Sequence, residues 1–246
     1  GFVKFFEFGP IPEGPWSELF QNLGYLVDGV TDEFDWLVND IVEFDKETGE
    51  EVWRWNALEN FSMSDYDQYG GTWGDAYVRG NYDWMHANGI FFDQNESVIY
   101  ASFRHLSRIS KISYPSGELI WNMGLPSDYN TGNDNICTDL GFSWQHHITV
   151  LDDGDLLFYD NGNLSEIIKG DDYPTTRIRR IRVVDNNYCE TVWEYELPFE
   201  LYATSLGSVN LLDNGNYLIS THGGNITPRI RGFFEVTPEK EIVYTC

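Results

Sequence analysis

Apolar and polar positions alternate along this chain in runs of four to eight residues, and Asp, Gly, Asn and Pro clusters separate the runs. A period of two marks strands with one buried face. The clearest pair of runs lies in residues 141–162, GFSWQHHITVLDDGDLLFYDNG. Apolar positions 148–151 lead into Asp152-Asp153-Gly154-Asp155, and positions 156–159 return to Asp160-Asn161-Gly162. An Asp-Gly turn between alternating runs predicts a β-hairpin. A hairpin sets the start of one strand beside the end of the next, so His146 and His147 are placed near Asp160 and Asn161.

A second kind of hairpin recurs. Residues 41–45 and 50–55 flank the turn Lys46-Glu47-Thr48-Gly49, and the same unit returns at 108–121, 177–195 and 232–244. Trp53, Trp121, Trp193 and Tyr244 hold matching positions in the four copies. The opening kind of hairpin precedes three of them, at 84–105, in the 141–162 segment and at 207–222. Each full repeat is then four antiparallel strands, A to D, about 50–70 residues apart, which is the signature of a propeller blade.

The expected fold is therefore all-β, a β-propeller of four-stranded antiparallel blades. Blades are expected over 83–122, 143–195 and 205–245, with a C–D half-blade over 41–55. Residues 1–40, broken by Pro10, Pro12, Gly14 and Pro15, are expected to form a divergent or partial blade, or else the chain belongs to a longer propeller. Residues 56–82 and 123–142 read as long inter-blade loops, a place where function concentrates.

The topology gathers the five histidines. Aligned on the A–B turns at Asp93, Asp152 and Asp213, His86 and His146 fall at the start of strand A, and His105 and His222 at the end of strand B. Antiparallel pairing brings these positions to one end of each blade. Arg108, Arg177 and Arg229 or Arg231, at the start of strand C, reach the same rim. By alternation His147 turns to the other face of its strand and is expected to be structural. Imidazoles supply nucleophiles and proton carriers near neutral pH, and arginines supply forked donors for a tetrahedral oxyanion. A three-histidine metal site needs the same convergence but leaves the arginines without a role.

Composition narrows the chemistry. Forty acidic against fifteen basic residues give a formal charge of −25, which excludes nucleic acid or an anionic membrane as the main partner. Against that field Arg177, Arg179, Arg180 and Arg182 form a basic cluster, which either holds an anion or is the charged surface of a strand. No apolar run has the length of a membrane span, and no P-loop seats a nucleotide. Cys137, Cys189 and Cys246 lack metal-ligand spacing and are compatible with one disulfide and one thiol. Sequons at Asn60, Asn95, Asn163 and Asn225, and a first residue that is not Met, point toward an exported, processed or truncated chain.

Four segments carry a family resemblance. Asp83-Trp84-Met85-His86-Ala87-Asn88 resembles the Asp-Trp-x-His-x-Asn signature of the aryl-sulfate sulfotransferases. Ser102-Phe103-Arg104-His105-Leu106-Ser107, Gln145-His146 followed by 158–162, and 215–219 followed by 234–238 are similar to further family segments in the same order. The resemblance implies a six-bladed propeller that moves a sulfuryl group from an aryl sulfate donor to a phenolic acceptor. It works through a sulfohistidine, without a nucleotide or other cofactor and without a metal. By the same carry-over His222 is the nucleophile, and His86 and His146 hold and protonate oxygens of the sulfate and the leaving phenolate. Arg177 stabilises charge in transfer, and Arg104, His105, Asn161 and Asn88 line the substrate. A periplasmic or extracellular location goes with this family. The competing expectation is a non-catalytic extracellular propeller that binds a partner or assembles with itself through an open blade edge.

Overall fold

The computed structural model describes residues 1–129, 134–223 and 232–245. Arg229, Arg231, Cys246 and the sequon at Asn225 lie outside the described residues. The chain is a row of antiparallel meanders. The first sheet has three strands, β1 (Phe2–Pro10), β2 (Asp32–Phe44) and β3 (Glu51–Trp55), with helix α1 (Ser17–Gln21) between the first two. After α2 (Ala57–Asn60) and α3 (Thr72–Arg79) comes a four-stranded sheet of β4 (Ala87–Asp93), β5 (Val98–Phe103), β6 (Arg108–Ser113) and β7 (Leu119–Gly124). The third sheet holds β8 (His146–Val150), β9 (Leu156–Asp160), β10 (Arg177–Val184) and β11 (Tyr188–Glu196), with α4 (Ser165–Lys169) following β9. The fourth holds β12 (Ser208–Leu211), β13 (Tyr217–Thr221), β14 (Gly232–Val236) and β15 (Ile242–Thr245). These are propeller blades, the second to fourth each wound from strand A to strand D, and among the described residues the sheets do not close into a ring.

The first blade is fuller than the pattern over 41–55 indicates. β2 begins at Asp32, and all of β1 pairs with it, from Phe2 opposite Ile41 to Pro10 opposite Asp32. Residues 32–40 hide their strand character behind five acidic or amide side chains, yet Phe34, Trp36 and Val38 alternate inward and are buried. The loop over 56–82 is likewise part helix, because Trp73 and Ala76 of α3 pack into the core between the first two sheets.

Three cores lie between successive sheets. Trp36, Trp55, Trp84 and Phe103 fill the first, Tyr100, Trp121, Phe142 and Phe158 the second, and Tyr159, Ile178, Ile219 and Phe234 the third. Fully burying one such apolar side chain contributes about 1.5–3 kcal/mol, so these contacts set the spacing of the blades. The repeated tryptophans have a specific task. Trp53 Nε1–H donates to the Pro115 carbonyl at 2.8 Å, Trp121 to Asn186 Oδ1 at 3.0 Å and Trp193 to the Pro238 carbonyl at 2.8 Å. Each acceptor belongs to the C–D turn of the next blade, so every D-strand indole clips its blade to its successor. A Cys137–Cys189 disulfide adds a covalent tie between the segment after β7 and strand β11.

Candidate active site

Blade register decides which residues meet at the rim. β5 ends at Phe103, β9 at Asp160 and β13 at Thr221, and each of these pairs with the first residue of the following strand. The next residue is therefore one equivalent position in three successive blades, held by Arg104, Asn161 and His222. The link between the last two blades is direct: Tyr159 Oη–H donates to Thr221 Oγ1 at 3.0 Å.

On strand A the register corrects the equivalence of His86 with His146. Ile90 pairs with Ala101 and Ile148 with Phe158, partners that lie two residues before the ends of β5 and β9. Counting back from them, His146 takes the place of Asn88, and Trp144 takes the place of His86. His86 and Trp144 share a left-handed backbone, φ 48° and 56°, which turns both side chains out of the strand. Alignment on turn residues alone shifts by one because Ile148 stands four residues before Asp152 and Ile90 only three before Asp93; each strand A also carries a bulge, at Ala87/Gly89 and His146/Ile148. His147 is the bulge residue itself, with φ 51°, and its Nδ1 accepts the Val209 N–H of the next blade at 3.4 Å.

The centre of the cluster is Asp83, which serves two histidines. Its Oδ2 lies 2.5 Å from His86 Nδ1, and its backbone carbonyl accepts a hydrogen bond from His105 Nδ1–H. The two imidazole rings stand 4.5 Å apart. Burial pushes the Asp83 carboxyl up, but the hydrogen bond and charge of His86, together with His105, hold it below its ordinary range. His105 Nε2 accepts from the Arg104 guanidinium at 2.6 Å, so that ring is neutral with its proton on Nδ1. Burial, then the neighbouring charges of His86 and Arg104, bring the His105 pKa down to about 3.

His146 is closed in a similar way. Asn161 Nδ2 donates to the carbonyls of Ala203 and Leu206 at 2.8 and 2.9 Å, which leaves its Oδ1 to accept from His146 Nδ1–H at 2.7 Å. His146 Nε2 accepts the Leu206 N–H at 3.3 Å, and burial first, then Arg104 and His86, lower its pKa to about 4. His105 and His146 thus have both ring nitrogens engaged. His86 differs: its side chain is 35% exposed, and its Nε2 has no hydrogen-bond partner among the described residues.

The remaining expected residues separate. Asn88 donates to the Gln145 carbonyl at 2.7 Å and ties the second blade to the third. Arg177 is not brought to the histidines; its guanidinium is buried against Asp171 and Glu196 at 2.8 and 2.7 Å. Arg179 pairs with Asp160 and Glu194, and Arg180 and Arg182 with Asp153 and Asp155. The basic cluster is thereby neutralised, and its reading as an anion seat gives way to a charge-paired strand. His222 follows β13 directly, half-buried, and no hydrogen bond or ring contact joins it to His86, His105 or His146 among the described residues.

Two contributors escaped the histidine count, Asp83 and Trp144. Asp83 stands three residues before His86, a spacing that could have suggested a carboxylate–imidazole pair. Trp144 lies under the Arg104 guanidinium, 4.1 Å from ring centroid to Cζ, and is covered by the 56–82 segment. A Cβ on Gly70 would fall 2.2 Å from the Trp144 ring, so only glycine fits that approach. Ligand atoms of Asp83, His86 and His105 lie within 4.8 Å of one another. They do not suit a metal, because both His105 nitrogens are occupied and a guanidinium faces one of them.

Fold and rim together define a propeller-type protein with a carboxylate-backed imidazole beside a buried guanidinium at one mouth. The family model described as Arylsulfotransferase (ASST) matches residues 25–237, and the chain belongs to that family. No curated protein matches the chain. Among solved structures it is similar to a protein of unknown function from Bacteroides caccae, with 14% identity over 85% of this chain and 54% of that one, TM-score 0.47. It is also similar to a streptogramin B lyase, with 20% identity over 65% of this chain and 40% of that one, TM-score 0.37. A catalytically inactive H270A virginiamycin B lyase from Staphylococcus aureus with quinupristin aligns at 14% identity over 100% of this chain and 74% of that one, TM-score 0.39. The chain spans about half the length of the first of these structures.

Proposed function

We propose that this chain carries the site for sulfuryl transfer from an aryl sulfate to a phenolic acceptor through a sulfohistidine. The observation that carries the reading is the Asp83–His86 pair, with His86 Nε2 open at the rim. A carboxylate at Nδ1 fixes the tautomer of the neutral ring and stabilises the imidazolium, the standard support for a proton-carrying histidine. In the first half-reaction an imidazole nitrogen of His222 bonds to sulfur and the bond between sulfur and the aryl oxygen breaks. The leaving oxygen keeps the electron pair and takes a proton from His86. In the second half-reaction His86 removes the acceptor's phenolic proton, the new oxygen bonds to sulfur, and the bond from sulfur to His222 breaks. No nucleotide is needed, since the sulfate ester itself is the activated donor.

Family membership supports transferase chemistry in general, and the position of His222 after strand B supports its access to the same mouth. The disulfide supports an oxidising compartment, periplasmic or extracellular. The test is steady-state turnover of 4-nitrophenyl sulfate with and without phenol. Sulfuryl transfer requires phenyl sulfate among the products and loss of activity in His86→Gln and His222→Gln. Release of inorganic sulfate alone would make the protein a hydrolase, and no release of 4-nitrophenol would refute the reading.

A further inference from the structure

Eight arginines lie among the described residues, and seven of them are ion-paired: Arg54, Arg79, Arg108, Arg177, Arg179, Arg180 and Arg182. Arg104 is the exception. Its side chain is buried, with the residue 8% exposed, yet no carboxylate touches it among the described residues. One terminal nitrogen donates to His105 Nε2 at 2.6 Å and the other to the Thr204 carbonyl at 3.0 Å. The Nε–H is buried without an acceptor among the described residues, as is the indole N–H of Trp144, on whose face the guanidinium stacks. A protein with a formal charge of −25 has carboxylates to spare, so a naked buried cation is a built feature rather than a shortage of partners.

We propose that Arg104, not Arg177, is the anion-holding residue of this rim, and that it takes a tetrahedral oxyanion, sulfate or phosphate, free or as an ester. In the reading given above, on which this rests, that group is the sulfuryl moiety of the donor. The neutral partners of Arg104 are part of the device. His105 and the Thr204 carbonyl orient the fork without cancelling its charge, and the Trp144 face supports a cation without neutralising it. Asp83 and Asp67 act on Arg104 only from a distance, and burial outweighs them, bringing its pKa down to about 10. The guanidinium is still charged at neutral pH and gains from an arriving anion. An oxyanion accepting from Nε–H would also satisfy a buried donor that has no acceptor among the described residues.

Isothermal titration of the intact chain with inorganic sulfate, inorganic phosphate and phenyl sulfate tests this. Arg104→Gln should weaken binding of at least one of the three by roughly 10- to 100-fold, the scale of a lost charge-assisted contact. Arg104→Lys should recover part of the loss, and the surface change Arg79→Gln should have no effect. Dependence on Arg104 for phenyl sulfate alone assigns the site to esters, and for all three to the free anions as well; both support the proposal. Equal affinity of wild type and Arg104→Gln, or no binding of any probe by wild type, overturns it. Should Arg104→Gln fail to fold, the Arg104 Nε–H resonance of the wild-type protein must shift on sulfate addition, and an unmoved resonance overturns the proposal. Failure of the two readings is distinguishable. Arg104-dependent binding without phenol release defeats sulfuryl transfer and leaves the anion site standing. Turnover that persists in Arg104→Gln with unchanged KM does the reverse.

Discussion

His146 is held neutral by its surroundings, and that has a measurable consequence for stability. Its pKa falls from 6.5 to about 4, chiefly through burial. The unfolded chain therefore binds a proton on this ring as pH drops through 6.5, while the folded protein does so only near pH 4. The resulting stability is fully present above pH 6.5 and is lost as pH falls toward 4. A gap of this size corresponds to roughly 3 kcal/mol. His146→Gln removes the titration and retains an amide that can face Asn161 and Leu206. Urea unfolding of both proteins at pH 7.5, 5.5 and 4.0 isolates the effect, because His105 and the buried carboxylates titrate in both. Wild type should lose about 3 kcal/mol relative to the variant between the highest and lowest pH. A difference constant to within about 0.5 kcal/mol, the usual scatter of such comparisons, would refute the reasoning. So would an NMR titration placing His146 near 6.5. With its pKa at about 4, His146 is uncharged at neutral pH.

Three further outcomes follow from the contacts described. Asp83→Asn should lower kcat for 4-nitrophenyl sulfate roughly 100-fold with little change in KM, since the carboxylate supports a proton carrier rather than binding substrate; an unchanged kcat would remove the dyad from the mechanism. Trp121→Phe keeps most of the buried area but loses the hydrogen bond to Asn186, so urea unfolding should show a loss of about 1 kcal/mol. Replacing Cys137 and Cys189 by serine opens a loop of 52 residues and should cost about 4 kcal/mol, read as a fall in the unfolding midpoint that reductant reproduces in wild type.

Blade architecture was legible because its signals are local: alternation, Asp-Gly turns and a repeated D-strand aromatic. The β2 extension over 32–40 was hidden, since its inward Phe34, Trp36 and Val38 alternate with side chains that elsewhere mark loops. The convergence of His86 and His105 at the end of a blade could be read from antiparallel topology alone. Their neighbours could not. Each strand A carries a bulge, at Asn88 and at His147, without a composition signal, and Asp152 stands one residue further from its strand than Asp93 does, so His146 takes the place of Asn88, two positions from that of His86. Arg177 and Arg104 are indistinguishable as letters. Their difference lies in Asp171 and Glu196 beside one and only neutral groups beside the other, a property of tertiary packing.

The proposed intermediate is a covalent sulfuryl group on an imidazole at this rim. Mixing the protein with excess 4-nitrophenyl sulfate in the absence of acceptor, quenching at neutral to alkaline pH and measuring intact mass tests it most directly. A sulfohistidine at His222 predicts a gain of one sulfuryl group that maps to the peptide containing His222, is lost in acid, and is discharged by added phenol. An unchanged mass with no burst of 4-nitrophenol, or an adduct confined to another residue, would contradict it.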